Sequence, residues 1–461
     1  MSSLGYLEAN VVVCGFEFNV VTLGFSDHQW AEYINRRRLL TEVKGLPLPA
    51  ALSPKKFVQK HKEIPVLGDY SGKLPGAYWG KWTRRSYGSL VPARSWVCPD
   101  KLVEVASKVG YKNRERLERV VQRLREGADI GCRGPARLPT CMPNSSSAIE
   151  HGVRLADALQ DWVKAGLAFG PCLPEEMPWR DYTVNPLKVV IRPDGKARIC
   201  INMSSPHSKP SDPVGKPASV NSGIDGDLFP ASMSTTKSFC LSLMRAGCPG
   251  ELCKLDWRSA YKHQAVRAED HNLQVFEFGG RLFGELFATF GGVSSAGIFD
   301  NLAKLVKELV IIKAEMDKRL VSQVLDDSVA CGAQGDGSVR RFYLCYRQLA
   351  EEIGVLLADE SEPDKAFNVA SSGLVLGIMY DLVSWQWWLP DEKLVPLVWM
   401  LASIRDSEVV KNCVMLSVNG KLNHYMWLVP GGPWQRGFLL LLQDARARSS
   451  VEFRMNDLAR K

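Results

Sequence analysis

The sequence predicts an α+β fold, an antiparallel sheet backed by helices, and three observations carry that expectation. Runs of strand-forming residues joined by turn signals occur at Leu187 to Arg192 with Ala197 to Ile201, and again over 273–287 around Gly279-Gly280. A long amphipathic stretch from Ser294 to Glu315 sets Ile298, Phe299, Leu302, Leu305, Val306 and Leu309 on one helical face. Beyond it come a short hairpin around Asp326-Asp327, a helix over 340–353 and strands over 374–380 and 385–389. From the second hairpin onward the order reads ββ, α, ββ, α and then strand.

At 461 residues the chain can bury several cores. The sequence divides into 1–100, 101–180, 181–390 and 391–461. Residues 1–100 are rich in Trp, Tyr, Gly and Pro and have no assigned role; basic clusters stand at Arg36-Arg37-Arg38 and at Lys81-Trp82-Thr83-Arg84-Arg85. Aromatics between cations can stack on bases and bind phosphates, although solvated charges give the same pattern. From Asp100 to Glu126 the spacing of Leu102, Val105, Val109, Leu117, Val120, Val121 and Leu124 predicts one helix, capped by Asp100. A Gly, Pro and Ser-rich connection covers 127–147, and a helix is expected over 148–165. Pro193-Asp194-Gly195 supplies the turn of the first hairpin. After Asp391 the pattern becomes helical, over 391–404, 407–428 and 433–446.

Composition narrows the classes. With 58 Lys plus Arg against 50 Asp plus Glu, the net charge is +8 and the pI near 8.8, which admits a nucleic-acid partner without requiring one. Twelve Cys are scattered with no C-x-x-C, so neither a zinc site nor a disulfide framework is indicated. No window approaches about 18 uninterrupted apolar residues and the first residues lack a basic stretch. A soluble intracellular protein of cytoplasm or nucleus, with no membrane partner, is the expectation.

The chemistry is carried by acids. Asp256 ends the stretch Leu252-Cys253-Lys254-Leu255-Asp256, and 70 positions later Asp326-Asp327 end another within Val324-Leu325-Asp326-Asp327-Ser328-Val329. One carboxylate and an adjacent pair, brought together from separate strands, suit two hard divalent cations in phosphoryl transfer. Burying three acids together without cations would be prohibitive. A lone Asp-Asp pair at a turn is a weak signal, because Asp is a favoured turn residue.

The surrounding motifs sharpen the signal. NPLKVVIRPDGKARICINMSSP, SVNSGID, LDWRSAYKHQAV, FGGVSSAGIFDNL, VLDD, LGIMYD and GKLNHYMWLVPGGPWQRGFLLLL follow one another in the order found in reverse transcriptases. Upstream, Gly127-Ala128-Asp129-Ile130-Gly131-Cys132-Arg133-Gly134-Pro135 and Gly166-Leu167-Ala168-Phe169-Gly170-Pro171 extend the likeness. From about Leu124 to Leu442 the chain resembles the reverse transcriptases of DIRS-like, tyrosine-recombinase-bearing retrotransposons.

That resemblance implies a right-hand polymerase: a palm, a fingers hairpin and a C-terminal helical thumb-like bundle. It implies an RNA-directed DNA polymerase working on an RNA or DNA primer-template with deoxynucleoside triphosphates (dNTPs) and two Mg²⁺ ions, which Mn²⁺ can replace. By the same match Asp256 and Asp326 would bind both ions, with Asp327 beside them. Arg198, with Arg192 as a second cation, would grip the triphosphate. Tyr261 would exclude a ribose 2′-hydroxyl, and Phe290 and Gly291 would floor the nucleotide pocket.

The chain departs from the family at Val324, where an aromatic is usual, and at Asn202, where Asp is frequent; the Lys expected after the second palm helix is not clearly placed, with Glu360-Ser361 near its position and Lys365 a candidate. Val324 and the unplaced Lys argue for the alternative, a decayed or domesticated copy that only binds nucleic acid or protein, and the intact Asp256, Asp326, Asp327, Arg198 and Tyr261 argue against it. An RNA-templated RNA polymerase is disfavoured by Tyr261.

Overall fold

The computed structural model of the chain describes residues 6–13, 16–23, 74, 76–133, 141–192, 195–206, 218–407, 409–425 and 452–454. Arg36-Arg37-Arg38 and the helix expected over 433–446 lie outside them. The fold is mixed α+β, and the chain divides into two compact units. One comprises 64–234 and 251–370; the other comprises 1–63, 235–250 and 371–461.

The first unit holds every expected site residue. At its centre is a four-stranded sheet in the order Val321–Val324, Asp327–Ala333, Gly250–Asp256, Phe367–Ala370. The helix Ser295–Lys313 buries Ile298, Phe299, Leu302, Leu305, Val306 and Leu309 to 1% exposure or less. With Val339, Phe342 and Tyr346 of the helix Ser338–Ile353, all of these but Ile298 share one core with Cys253, Leu255 and Trp257. Each large apolar side chain withdrawn this way is worth about 1.5–3 kcal/mol, so the strand bearing Asp256 is firmly anchored.

A second four-stranded sheet runs Ala168–Cys172, Arg281–Glu285, Val275–Phe278, Val184–Asn185. Its central hairpin turns at Gly279 and Gly280, both at positive φ (59° and 78°), as a two-residue primed turn requires. The strands Leu187–Ile191 and Ala197–Ile201 pair separately, with Val190 opposite Arg198. Of their turn only Gly195, at φ 80°, is among the described residues.

Several boundaries differ from the sequence expectation. The single helix from Asp100 to Glu126 is two, Pro99–Lys108 and Arg114–Glu126. Gly110 at φ 64° ends the first and the Asn113 side chain caps the second, accepting from the Arg116 N–H. Asp100 is not the cap: Cys98 holds that position with Pro99 at the first helical residue. The helix over 148–165 is likewise interrupted at His151, into Ser146–Glu150 and Gly152–Lys164. In the aromatic-basic cluster after residue 80, Trp82 packs inward, 5.0 Å from Trp79 and 6.0 Å from Phe283, while Lys81, Arg84 and Arg85 are exposed and Arg84 pairs with Glu176 at 2.8 Å.

In the second unit the strand expected over 374–380 is a hairpin, Ser372–Val375 with Ile378–Asp381, extended by Gln386–Trp388. Leu376 and Gly377, at φ 52° and 75°, form its turn. Phe239 of the helix Thr236–Ala246 meets Tyr380 edge-on at 5.1 Å. The helix Asp391–Asp406 follows as expected, but Val409–Lys411 is a strand paired with Glu452–Arg454 before the helix Asn412–Tyr425 begins. Adjacent β-branched Val409 and Val410 suit that strand.

Candidate active site

Asp256 is the last residue of its strand, and Asp326 and Asp327 lie at the turn joining Val321–Val324 to Asp327–Ala333. Val324 pairs with Asp327 across that turn, whose first residue, Leu325, sits at φ 49°. The left-handed region is costly for a Leu, on the order of 1–3 kcal/mol, and the surrounding ladder must hold it. The acid-bearing ends are joined directly: the Trp257 N–H donates to the Asp326 carbonyl at 3.1 Å, and the Ala358 N–H donates to the Asp256 carbonyl at 2.8 Å. Beneath them the Trp257 indole N–H donates to the Tyr346 hydroxyl at 2.7 Å, and Ser328 Oγ lies 3.2 Å from the same oxygen. Residues following two of the acids thus share one buried polar anchor.

All three carboxyls are half-buried, and their proton affinities rise accordingly. Burial pushes Asp256 up to about 7, reinforced by the charges of Asp326 and Asp327. Asp327 is raised to about 6 by burial and by Asp326, against the opposing pull of Lys254. Asp326 is raised by burial, while its own backbone N–H, Arg198 and Lys254 oppose the shift.

Lys254 is the residue that pattern reading missed, hidden in a stretch read as apolar. It is 6% exposed, its Nζ donating to the Asp364 carbonyl at 2.9 Å and lying 3.3 Å from Asp327 Oδ1. A buried ammonium is held by such partners, so Asp327 is compensated from within while Asp256 and Asp326 are less so. Its signal in the sequence is a single cation two positions before an acid, on the same face of a strand.

The remaining expected residues gather in part. After Asp256, Ser259 at φ 56° turns the chain into the short helix Ala260–His263. Half-buried Tyr261 on it sets its ring 4.9 Å from Phe290 and 5.9 Å from Phe299, and both Asp326 and Arg198 act on its hydroxyl. The Arg198 guanidinium lies 4.9 Å from the Phe290 ring centroid. Gly291 backs onto the hairpin so closely that a Cβ there would stand 1.5 Å from the Ile201 carbonyl oxygen. Arg192, by contrast, acts electrostatically on Glu362, a group on the loop that also holds Lys365. Lys365 in turn lowers the proton affinity of Asp256.

Hard oxygen donors carrying mutual repulsion are the donor type a divalent magnesium-like ion takes. Among the described residues no group of three or more His, Cys, Asp or Glu is closed around one point as a metal cage. The acids are coupled through charge.

Among the described residues no helix is long and apolar enough to cross a membrane. No family model and no curated protein matches the sequence. Solved structures similar to this chain include a foamy viral protease-reverse transcriptase dRH in complex with ds DNA, at TM-score 0.48 and 12% identity, over 78% of this chain and 57% of that one. The foamy viral protease-reverse transcriptase in complex with RNA/DNA hybrid is similar at TM-score 0.47 and 12% identity, over 78% of this chain and 44% of that one.

Proposed function

We propose that the chain is an RNA-directed DNA polymerase of a DIRS-like retroelement, joining a dNTP to a primer 3′-hydroxyl on an RNA or DNA template. In this reading 181–390 form fingers and palm, and 391–461 a thumb-like region. The observation that carries it is the backbone junction of the strand ending in Asp256 with the turn bearing Asp326 and Asp327, flanked by Arg198, Phe290 and Tyr261. The order of the sequence motifs adds support.

Asp256 and Asp326 would hold the Mg²⁺ pair, which supplies charge for the attacking and leaving oxygens. The chain itself orients the nucleotide. Arg198 neutralises triphosphate oxygens, Tyr261 presses on the sugar, and the anchored strand end keeps the acids fixed while phosphate charge is redistributed. Lys365, within electrostatic reach of Asp256, is a cation beside the departing pyrophosphate.

Primer extension on RNA and DNA templates tests the reading. Asp326→Asn should abolish extension, by about a thousandfold or more if one oxyanion-stabilising donor is a guide. Primer-template affinity should stay within about twofold, since the substitution removes no phosphate-binding cation. A second reading, a copy that binds nucleic acid without copying it, is favoured by one feature: Lys254 already occupies Asp327. That reading gains if wild type fails to extend with Mg²⁺ or Mn²⁺ while still binding primer-template.

A further inference from the structure

Arg198 is exposed and, among the described residues, its guanidinium makes no hydrogen bond or ion pair; it rests on the face of Phe290. Phe290 is itself 45% exposed, and an aromatic ring left in solvent beneath an unpaired cation is a platform with an open upper side.

The platform is fixed from below. The Asn221 amide N–H₂ donates to the Gly291 carbonyl at 2.8 Å and to Ser204 Oγ at 2.8 Å, and its Oδ1 accepts from the Val293 N–H at 3.1 Å. The Asn221 backbone N–H donates to the Met203 carbonyl at 2.9 Å. One side chain therefore ties the 290–293 turn to the segment following the strand Ala197–Ile201. Gly291 lies against Ile201 of that strand, and Arg198 stands on the same strand. The path closes on itself: Arg198 through the strand to Ile201, across to Gly291, and through Phe290 back to Arg198. Tyr261 supports the ring from another side at 4.9 Å.

We propose that Phe290 and Asn221 are positioning residues: Asn221 locks the 290–293 turn, and the Phe290 ring orients the Arg198 fork so that its free N–H groups meet polyphosphate oxygens. The inference rests on the reading of Arg198 as a triphosphate-binding group. A planar guanidinium stacked on a ring keeps its in-plane donors free, and those donors match phosphate oxygens in pairs. Without the ring the side chain samples other rotamers, and that freedom must be given up again on binding.

The test uses the full chain with a chelator present and inorganic tripolyphosphate as the probe, titrated calorimetrically. Phe290→Leu should weaken binding about tenfold, Phe290→Tyr by less than about twofold, and Asn221→Ala to a similar extent as the Leu variant. Arg198→Ala should weaken it at least as much, and Phe290→Leu added to Arg198→Ala should cost nothing further, because the ring acts only through the guanidinium. Additive losses in that pair, a Tyr variant as weak as the Leu variant, or wild type that binds no tripolyphosphate would each overturn the proposal. Melting curves identify a misfolded variant, in which case Phe290→Tyr and Phe290→Trp against Arg198→Ala decide the question. Primer extension run in parallel separates the two readings. The expected binding pattern without extension removes the polymerase and leaves the positioning role; extension without the pattern removes the positioning role alone.

Discussion

At the scale of single residues, the acids and their neighbours make two expectations concrete. Asp256 takes up a proton near pH 7 in the fold but near 3.8 when exposed. Between those values the folded chain binds a proton that the unfolded chain has released, so stability of the cation-free protein falls as pH rises from about 4 through 7. Chemical denaturation across that range should show the decline, and Asp256→Asn should make it shallower, leaving the part due to Asp326 and Asp327; an equal decline in the variant would place its source outside Asp256. Tyr261→Val is expected to leave deoxynucleotide incorporation within a few-fold while raising ribonucleotide incorporation about tenfold or more, since it removes bulk and no ligand. Unchanged selectivity in single-nucleotide insertion would reduce the ring to a packing role against Phe290 and Phe299. The three acids, Arg198 and Tyr261 could be singled out as candidates because each stands at a fixed offset within a motif. Lys254 and Asn221 were not, because their meaning lies in partners distant in the chain: Asp364 for one, Gly291 and Val293 for the other.

At the scale of elements, the short helix carrying Tyr261 is tied to the neighbouring sheet by a buried ion pair of Lys262 with Glu285, both within 6% exposure, and Lys262 also lies 3.9 Å from the Trp162 ring. Removing one member strands the other's charge. Lys262→Met alone should cost about 3–5 kcal/mol in urea unfolding, and the double variant with Glu285→Leu markedly less. Equal losses in the two would show that packing rather than charge is at stake. Hairpins at Gly279-Gly280 and at Asp326-Asp327 and the long helix after Ser294 were readable, since each joins a clear period to a turn or cap signal. The break at Gly110 was not, because Val105, Val109 and Leu117 keep helical spacing across it and only the backbone sign at the glycine reveals the interruption. The start of Asn412–Tyr425 was missed for a related reason: Val409 and Val410 fit either period until their partner strand, Glu452–Arg454, is known.

At the scale of the whole molecule, the unit holding the acids and the unit holding Asp391–Asp406 and Asn412–Tyr425 are assembled from interleaved pieces of chain. If residues 391–461 grip duplex through Lys393, Lys411 and Lys421, with Arg436 outside the described residues, a chain ending at Pro390 should bind primer-template weakly. Its salt dependence should also be shallower, by roughly one unit of log–log slope for each phosphate that those lysines would have neutralised. Anisotropy titrations between about 50 and 200 mM salt measure both, and an unchanged slope would relieve those lysines of the role.

The interleaving also sets a timetable for synthesis. The helix Thr236–Ala246 leaves the ribosome well before Tyr380, the ring that covers its Phe239, has been translated. At ~5–20 residues per second the wait is on the order of ten seconds, during which that apolar face has no native cover. A nascent chain stalled before Ser371 therefore presents that face to a chaperone holdase, and one stalled far enough past Tyr380 for the ring to leave the ribosome can cover it.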